Sequence, residues 1–139
     1  MPITVDASAA AAWLLPDEAS AATDQLYMQA AGETQVFQAP ALWAWETGNL
    51  LWVACRRGRI DEGRLDDALR ILGAAQVRLE GPPDEARQRT TLAHARRHGL
   101  SFYDASYLEQ ALRTRAQLAT KDARLRRAAR LAGVPCIAL

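Results

Sequence analysis

The chain has few of the features that mark a secreted, disulfide-bonded or membrane protein. Its two cysteines, Cys55 and Cys136, are isolated and lack C-x-x-C spacing, so we expect buried thiols rather than a disulfide or a zinc site. No Lys or Arg precedes Arg56, and a basic secretion leader is therefore not expected. The longest apolar runs fall well short of the roughly 20 residues that a membrane span requires. These absences predict a cytoplasmic protein that does not enter a membrane.

Linker-like stretches are also absent, because no segment rich in Gly, Ser or Pro divides the 139 residues, of which 50% are hydrophobic. One compact domain over residues 1–139 is predicted.

Charge is unevenly distributed: residues 1–70 hold five Arg and ten acidic residues, whereas residues 71–139 hold twelve Lys and Arg and six acidic residues. The two halves can intermix in space, so this asymmetry alone does not establish a nucleic-acid groove, and most of these arginines are expected on solvated helix faces.

Short β-type runs alternate with helical segments along the chain. Strands are predicted at residues 3–6, 36–38, 76–79, 117–120 and in the final P-C-I-A-L at 135–139. Helices are predicted at 7–15, 18–31, from Pro40 to about Arg57, at 61–73, 84–98, 102–115 and 123–132. The alternation predicts a three-layer α/β/α fold with a mainly parallel central sheet and right-handed crossovers. Ligand sites in such sheets lie beyond the carboxyl ends of the strands.

Two acidic residues are predicted at that edge of the sheet. Asp6 ends the apolar run I-T-V-D, and Asp122 follows the predicted strand in A-T-K-D. Each comes directly before a predicted helix, so either one could also serve only as a helix N-cap, a position that favours Asp.

Glu46, in W-A-W-E-T-G-N, is harder to explain as surface charge. In a helix its neighbours at three, four and seven residues include Leu42, Trp43, Leu50 and Val53, which places a carboxylate on an apolar stripe. A buried carboxylate without a partner costs several kcal/mol, so it requires a cation, and a metal ion would be one.

Asp104, in S-F-Y-D-A-S, allows two interpretations. It is the third residue after Ser101 in an S-x-x-D capping pattern, yet its helical neighbours Tyr107, Leu108 and Ala111 form an inward face. Taken together, the four acids predict a metal-binding acidic pocket and phosphate chemistry.

Two further patterns are given structural explanations. His94 and His98 lie four residues apart in H-A-R-R-H, but the Glu of a metalloprotease motif is missing, so a solvated or partly packed pair is expected. Trp43 and Trp45 project about 200° apart on a helix. They cannot face the same neighbour, and we expect one of them to serve a protein interface.

Four segments in order resemble the PIN-domain ribonucleases, most closely the VapC-type toxins of toxin-antitoxin pairs. These segments are I-T-V-D-A-S, P-A-L-W-A-W-E-T-G-N-L-L, L-S-F-Y-D-A-S-Y-L-E-Q-A and L-A-T-K-D-A-R-L-R-R-A-A. The resemblance implies a PIN-like fold and assigns catalytic and metal-binding acids to Asp6, Glu46, Asp104 and Asp122, with a supporting hydroxyl at Thr120. Ser8 lies in the first motif, where it either supports the pocket or caps the helix that follows. Lys121 departs from the family pattern by putting a cation beside the pocket.

The resemblance also implies an activity and partners. The activity is metal-dependent endoribonuclease cleavage, in which Mg²⁺ or Mn²⁺ bound by carboxylate oxygens activates water against an RNA phosphodiester. In that scheme Asp6, Glu46 and Asp104 are the principal ligands, and Asp122 acts on a second ion or through water. The implied partners are RNA, a VapB-like antitoxin lying over the apolar helices, and a second copy of the chain, giving a homodimer and a heterotetramer or larger complex with antitoxin.

Two other classes of protein remain as alternatives. A non-catalytic PIN-like scaffold that only binds partners would carry the same pattern of acids. A phosphoryl-accepting receiver domain would need an acid pair directly after the first strand, whereas Val5 precedes Asp6 and Glu46 lies within a helix.

Overall fold

A sheet of four parallel strands forms the centre of the computed structural model, which describes residues 1–139. The strands are β1 (Ile3–Val5), β2 (Phe37–Ala39), β3 (Val77–Leu79) and β4 (Gln117–Ala119). The α-helices are α1 (Ala7–Leu14), α2 (Ala21–Ala31), α3 (Leu42–Arg56), α4 (Leu65–Ala74), α5 (Glu85–His98), α6 (Phe102–Thr114) and α7 (Ala123–Leu131). Two short 3-10 helices, Pro16–Glu18 and Glu62–Arg64, precede α2 and α4.

The strand order β3-β2-β1-β4 places β1 between β2 and β4. Ile3 lies opposite Phe37 on one side and Gln117 on the other. Right-handed crossovers put α1–α4 on one face of this sheet and α5–α7 on the other, because the chain moves in opposite directions from β1 to β3 and from β3 to β4. The packing agrees: α1 contacts α2, α3 and α4, whereas α6 contacts α5 and α7. The predicted three-layer α/β/α architecture is confirmed.

The main core contains 20 buried residues and lies between the sheet and the helices. Its members with exposures of 1% or less include Val5, Phe37 and Leu118 of the strands and Tyr107 and Leu108 of α6. Burying each large apolar side chain contributes about 1.5–3 kcal/mol. A second cluster of seven buried residues joins α1, α3 and α4.

The predicted helix at 18–31 begins too early. A 3-10 turn covers Pro16–Glu18, and α2 starts after Ser20, whose side chain accepts from the backbone N of Thr23 while the Thr23 hydroxyl accepts from the backbone N of Ser20. This reciprocal cap is S-x-x-T rather than the usual S-x-x-E. A similar 3-10 turn at Glu62–Arg64 delays the start of α4 to Leu65.

The predicted final strand at 135–139 is wrong. Only one parallel bridge forms, between Leu118 and Cys136, supported by hydrogen bonds from Leu118 N to the Pro135 carbonyl and from Ile137 N to the Leu118 carbonyl, both 2.9 Å. Pro135 has no N–H with which to extend the ladder.

The two cysteines are free thiols and are partly rather than fully buried. None of the helices is both long enough and apolar enough to span a membrane.

Candidate active site

Two of the four predicted acids lie where the sheet reverses its winding. Asp6 follows β1 and starts α1 on one face, whereas Asp122 follows β4 and starts α7 on the other face. Because neighbouring strands send their chains to opposite faces at this point, a crevice opens at the carboxyl edge, where ligands of such sheets bind. Both acids also cap their helices: Asp6 accepts from Ala9 N and Asp122 from Leu125 N, each at 2.9 Å.

Asp6 is almost fully buried, with an exposure of 5%, and three donors hold its carboxylate. Its Oδ1 accepts from the Ser8 hydroxyl at 2.7 Å and from Ala9 N. Its Oδ2 accepts from the Thr120 hydroxyl at 2.5 Å. An ionised carboxylate has about four acceptor sites, so Oδ2 keeps capacity for one further partner.

The hydroxyls of Thr120 and Ser8 tie β1 to the chain after β4. Thr120 Oγ1 accepts from Asp122 N at 3.0 Å while donating to Asp6. Ser8 Oγ accepts from Lys121 N at 2.8 Å. Ser8 therefore does not cap α1, since Asp6 does, and it instead bridges Asp6 to the backbone at the end of β4.

Glu46 lies at the edge of the buried face of α3. That face is formed by Trp43, Thr47, Leu51 and Ala54, and Glu46 is partly buried beside it. Across the site, the Tyr107 hydroxyl of α6 donates to Glu46 Oε1 at 2.5 Å. Tyr107 is only 1% exposed, so its rigid ring fixes the position of the carboxylate.

Asp104 lies in the first turn of α6 and is partly buried. The Ser101 hydroxyl caps this helix by accepting from Asp104 N at 3.1 Å, as the S-x-x-D pattern predicts. The capping role uses the backbone of Asp104, so its carboxylate remains available to the crevice.

Repulsion and burial act together on these acids. Burial, followed by the charges of Asp104 and Asp6, raises the pKa of the Glu46 carboxyl although the Tyr107 hydrogen bond opposes it. Burial and the charge of Asp122 raise the pKa of Asp104, against the effects of Ser101 and Arg124.

The pKa of Asp6 is also raised, chiefly by burial, although its hydrogen bonds to Thr120, Ala9 and Ser8 act in the opposite direction. None of the four acids takes part in an ion pair. Lys121, which departs from the family pattern, instead lies 3.5 Å from Glu18. No cation therefore lies within ion-pair distance of the four acids, and only the more distant Arg124 acts on one of them.

The donor chemistry of this cluster fits a hard divalent cation. All four groups offer carboxylate oxygens, which Mg²⁺ and Mn²⁺ prefer, and their mutual repulsion would be relieved by a cation. As the side chains stand, however, no three acidic, His or Cys residues converge around a common point. Binding a metal would therefore require some of these side chains to turn toward one another.

Sequence reasoning missed one residue of the site and explained others correctly. Tyr107 was recognised only as an inward neighbour of Asp104, although its three-residue spacing on the same helical face could have suggested a partner for an acid. His94 and His98 stack with ring centroids 6.4 Å apart. As predicted, Trp43 and Trp45 diverge, with exposures of 5% and 73%.

Comparisons with known proteins agree with this architecture. A model of the PIN domain family matches residues 3–131. Ribonuclease VapC3 of Pyrobaculum aerophilum is 32% identical over 125 residues, covering 90% of this chain and 92% of that protein. Exonuclease VapC9 of the same organism is 40% identical over 83 residues, which is 58% of each chain. The crystal structure of PAE2754 from Pyrobaculum aerophilum matches 99% of this chain and 84% of its own, with a TM-score of 0.72 and 28% identity. The chain therefore belongs to the PIN-domain family and is similar to its VapC-type ribonucleases.

Proposed function

We propose that this protein, as one domain over residues 1–139, is a metal-dependent endoribonuclease and the toxin of a type II toxin-antitoxin pair, acting on RNA in the cytoplasm. The observation that carries the proposal is the set of four carboxylates, none of them in an ion pair, at the crevice between β1 and β4. Such a cluster repels itself, so it is maintained for a cation rather than for stability.

In this proposal Asp6, Glu46 and Asp104 are the principal ligands of Mg²⁺ or Mn²⁺, and Asp122 acts on a second ion or through water. A bound divalent ion supplies charge neutralisation at phosphorus and lowers the pKa of water. The chain's own contribution is orientation. Two hydroxyls and one backbone N–H hold the Asp6 carboxylate, and the Tyr107 hydroxyl holds the Glu46 carboxylate.

The nuclease activity is tested with a labelled RNA in Mg²⁺, Mn²⁺ or EDTA. We expect cleavage by the wild type with metal, none in EDTA, and a loss of at least about 10²-fold for Asp104→Asn, because a metal ligand and its charge are removed. Asp66→Asn, an exposed acid on α4, is the matched control and should cleave normally. Cleavage that is indifferent to chelation, or equal in wild type and Asp104→Asn, would contradict the proposal.

A second substrate is needed to decide whether the enzyme cuts within an RNA strand or from its ends, because one relative is named an exonuclease. A circular RNA has no ends, so only an endonuclease can open it. We expect the wild type to open the circle and then to degrade the product. If only the linear form is cleaved, the endonuclease assignment is wrong while the nuclease assignment stands.

For the antitoxin we propose a groove of about 410 Å³ between the end of α1 and α4. Eight of its twelve lining residues are hydrophobic, which suits an apolar segment of a partner. Its walls include Trp13, Leu14, Ile60 and Ile71. The test is co-purification with the small protein encoded beside this gene: Ile71→Glu should abolish binding, whereas the exposed Leu69→Glu should not.

For the homodimer we propose the outer face of α3. Trp45 and Trp52 project there with exposures of 73% and 57%, and the Arg56 guanidinium lies 5.9 Å from the Trp52 ring. Exposed tryptophans seven residues apart on one helix form an interface-like stripe. Light scattering should show a dimer for the wild type and a monomer for Trp45→Ser/Trp52→Ser.

The alternative is a PIN-like scaffold that binds partners without catalysis. It is favoured by the observation that no three acids converge as the side chains stand. The cleavage assay separates the two functions, since the scaffold would bind its partners but leave both linear and circular RNA intact in every metal.

A further inference from the structure

A cationic cavity lies beside the acidic crevice, between the end of α5 and the start of α7. It has a volume of about 220 Å³, and its walls include Arg97 and His98 from α5 and Arg124 and Arg127 from α7. We call it the arginine cavity. Arg124 lies two residues after Asp122, so the cavity borders the acidic crevice directly.

The arginines of this cavity form no ion pair, although the charge of Arg124 acts on the Asp104 carboxyl from a distance. Some guanidinium groups of the chain are neutralised, as where Arg87 and Arg113 both bind Glu80 at 2.7 Å. By contrast, Arg97, Arg124 and Arg127 take part in no ion pair or side-chain hydrogen bond. Moreover, residues 86–103 and 123–139 contain no Asp or Glu at all.

Helix stability does not explain all of these charges. Arg97 and His98 lie in the last turn of α5, where cations interact favourably with the helix dipole. Arg124 lies in the first turn of α7, where the dipole disfavours a cation. Its charge there opposes the stability of its own helix, so the explanation lies outside the helix, in its long-range attraction to Asp104 and in a ligand.

The chemistry of the cavity points to a phosphodiester. Guanidinium groups bind phosphate oxygens with two parallel hydrogen bonds, and a concave arrangement of three can surround one group. A strand whose phosphate occupies the acidic crevice would carry a neighbouring phosphate toward this cavity.

We propose that Arg97, Arg124 and Arg127 bind a backbone phosphate of the RNA strand adjacent to the phosphate that is cleaved. This inference rests on the proposed nuclease function and adds a binding site to it. It assigns these arginines to substrate binding rather than to the chemical step.

The test is the affinity of a labelled single-stranded RNA in EDTA, where no cleavage is expected, measured by anisotropy at several salt concentrations. For Arg97→Gln/Arg127→Gln we expect at least about a tenfold loss of affinity, with the slope of log K against log salt reduced by about 0.7 for each lost phosphate contact. Arg124→Gln should weaken binding in the same direction.

The matched control is Arg96→Gln/Arg130→Gln, which removes the same charge from exposed positions on the same two helices. We expect a change of less than about twofold, because only screened, long-range attraction is lost. Equal losses in the two double variants, or no RNA binding by the wild type, would overturn the proposal. A loss of antitoxin binding with unchanged RNA affinity would overturn it as well, by assigning the surface to a protein.

Cleavage assays on the same variants separate this inference from the proposed function. If the wild type cleaves with metal while both double variants bind RNA equally, the arginine cavity is wrong and the nuclease stands. If the wild type never cleaves but Arg97→Gln/Arg127→Gln alone loses RNA binding, the nuclease is wrong and the phosphate site stands.

Discussion

The hydrogen bond from Tyr107 to Glu46 can be measured by removing a single oxygen atom. Tyr107→Phe keeps the buried ring, so no cavity forms, and deletes only the hydroxyl that donates at 2.5 Å. A hydrogen bond to a charged group contributes about 1.5–3 kcal/mol. Because Glu46 is partly exposed to solvent, we expect about 1–2 kcal/mol of lost stability. In urea, with a slope of about 2 kcal/mol/M, this shifts the midpoint down by about 0.5–1 M.

A double-mutant cycle with Glu46→Ala separates the Tyr107–Glu46 hydrogen bond from the repulsion between Glu46 and the charges of Asp104 and Asp6. The coupling energy should equal the loss of about 1–2 kcal/mol, since each single variant removes the same bond. Tyr103→Phe is the control, because Tyr103 is 63% exposed on the same helix and should change stability by less than about 0.5 kcal/mol. Nuclease activity of Tyr107→Phe should fall about 10–100-fold, as expected when the partner that orients a metal ligand is lost. A coupling energy near zero with full activity would refute the idea that Tyr107 positions Glu46.

Three further predictions concern the acids and the ion pairs. Because folding raises the pKa of Asp104, the protonated carboxyl contributes to the free energy of unfolding. This contribution is fully present below the pKa of Asp104 in the unfolded chain, and it is lost as the pH rises through its pKa in the folded chain. In EDTA, the free energy of unfolding of Asp104→Asn should therefore exceed that of the wild type by on the order of 0.5–1 kcal/mol at pH 7, and should equal it below about pH 4. Melting temperatures across this pH range would show the difference. A gain in stability that is independent of pH would contradict this explanation. Thr120→Val removes the donor to Asp6 Oδ2 and should lower the free energy of unfolding by about 2–3 kcal/mol. Thr120→Ser keeps the hydroxyl and should lower it by less than about 1 kcal/mol, as urea titrations would report. Glu109→Ala breaks the ion pair with Arg113, in which the acid is 5% exposed, and should lower the free energy of unfolding by about 2–3 kcal/mol. Asp67→Ala breaks the exposed pair with Arg70 and should change it by less than about 0.5 kcal/mol. Equal effects of the two variants in calorimetry would contradict the role of burial.

The features that depend on local chain geometry were predictable from the sequence. The β-α alternation gives the layer arrangement, and strand-to-helix junctions give the positions of Asp6 and Asp122, because a cap needs only its next three residues. The final strand was wrong because its pairing with β4 ends after Ile137 N donates to the Leu118 carbonyl, and a local sequence pattern does not specify how far pairing across a sheet extends.

Contacts between distant residues were not predictable in the same way. Glu46 was correctly seen as a carboxylate near apolar side chains, but its partner Tyr107 lies 61 residues away. Likewise, the pairing of Lys121 with Glu18 joins residues 103 apart. Such partners depend on how distant segments of the chain pack together, which the periodicity within one helix does not specify.

The hydrogen bond between Thr120 and Asp6 joins residues that are 114 positions apart, and this separation sets an order of events during protein synthesis. The ribosome makes β1 first, but Asp6 receives its Thr120 donor and its neighbour Asp122 only when β4 has been made and has paired beside β1. A chain that is still short of residue 122 cannot assemble the crevice. On the proposed function, a growing chain is thus inactive until residue 122 has been made and β4 has paired beside β1.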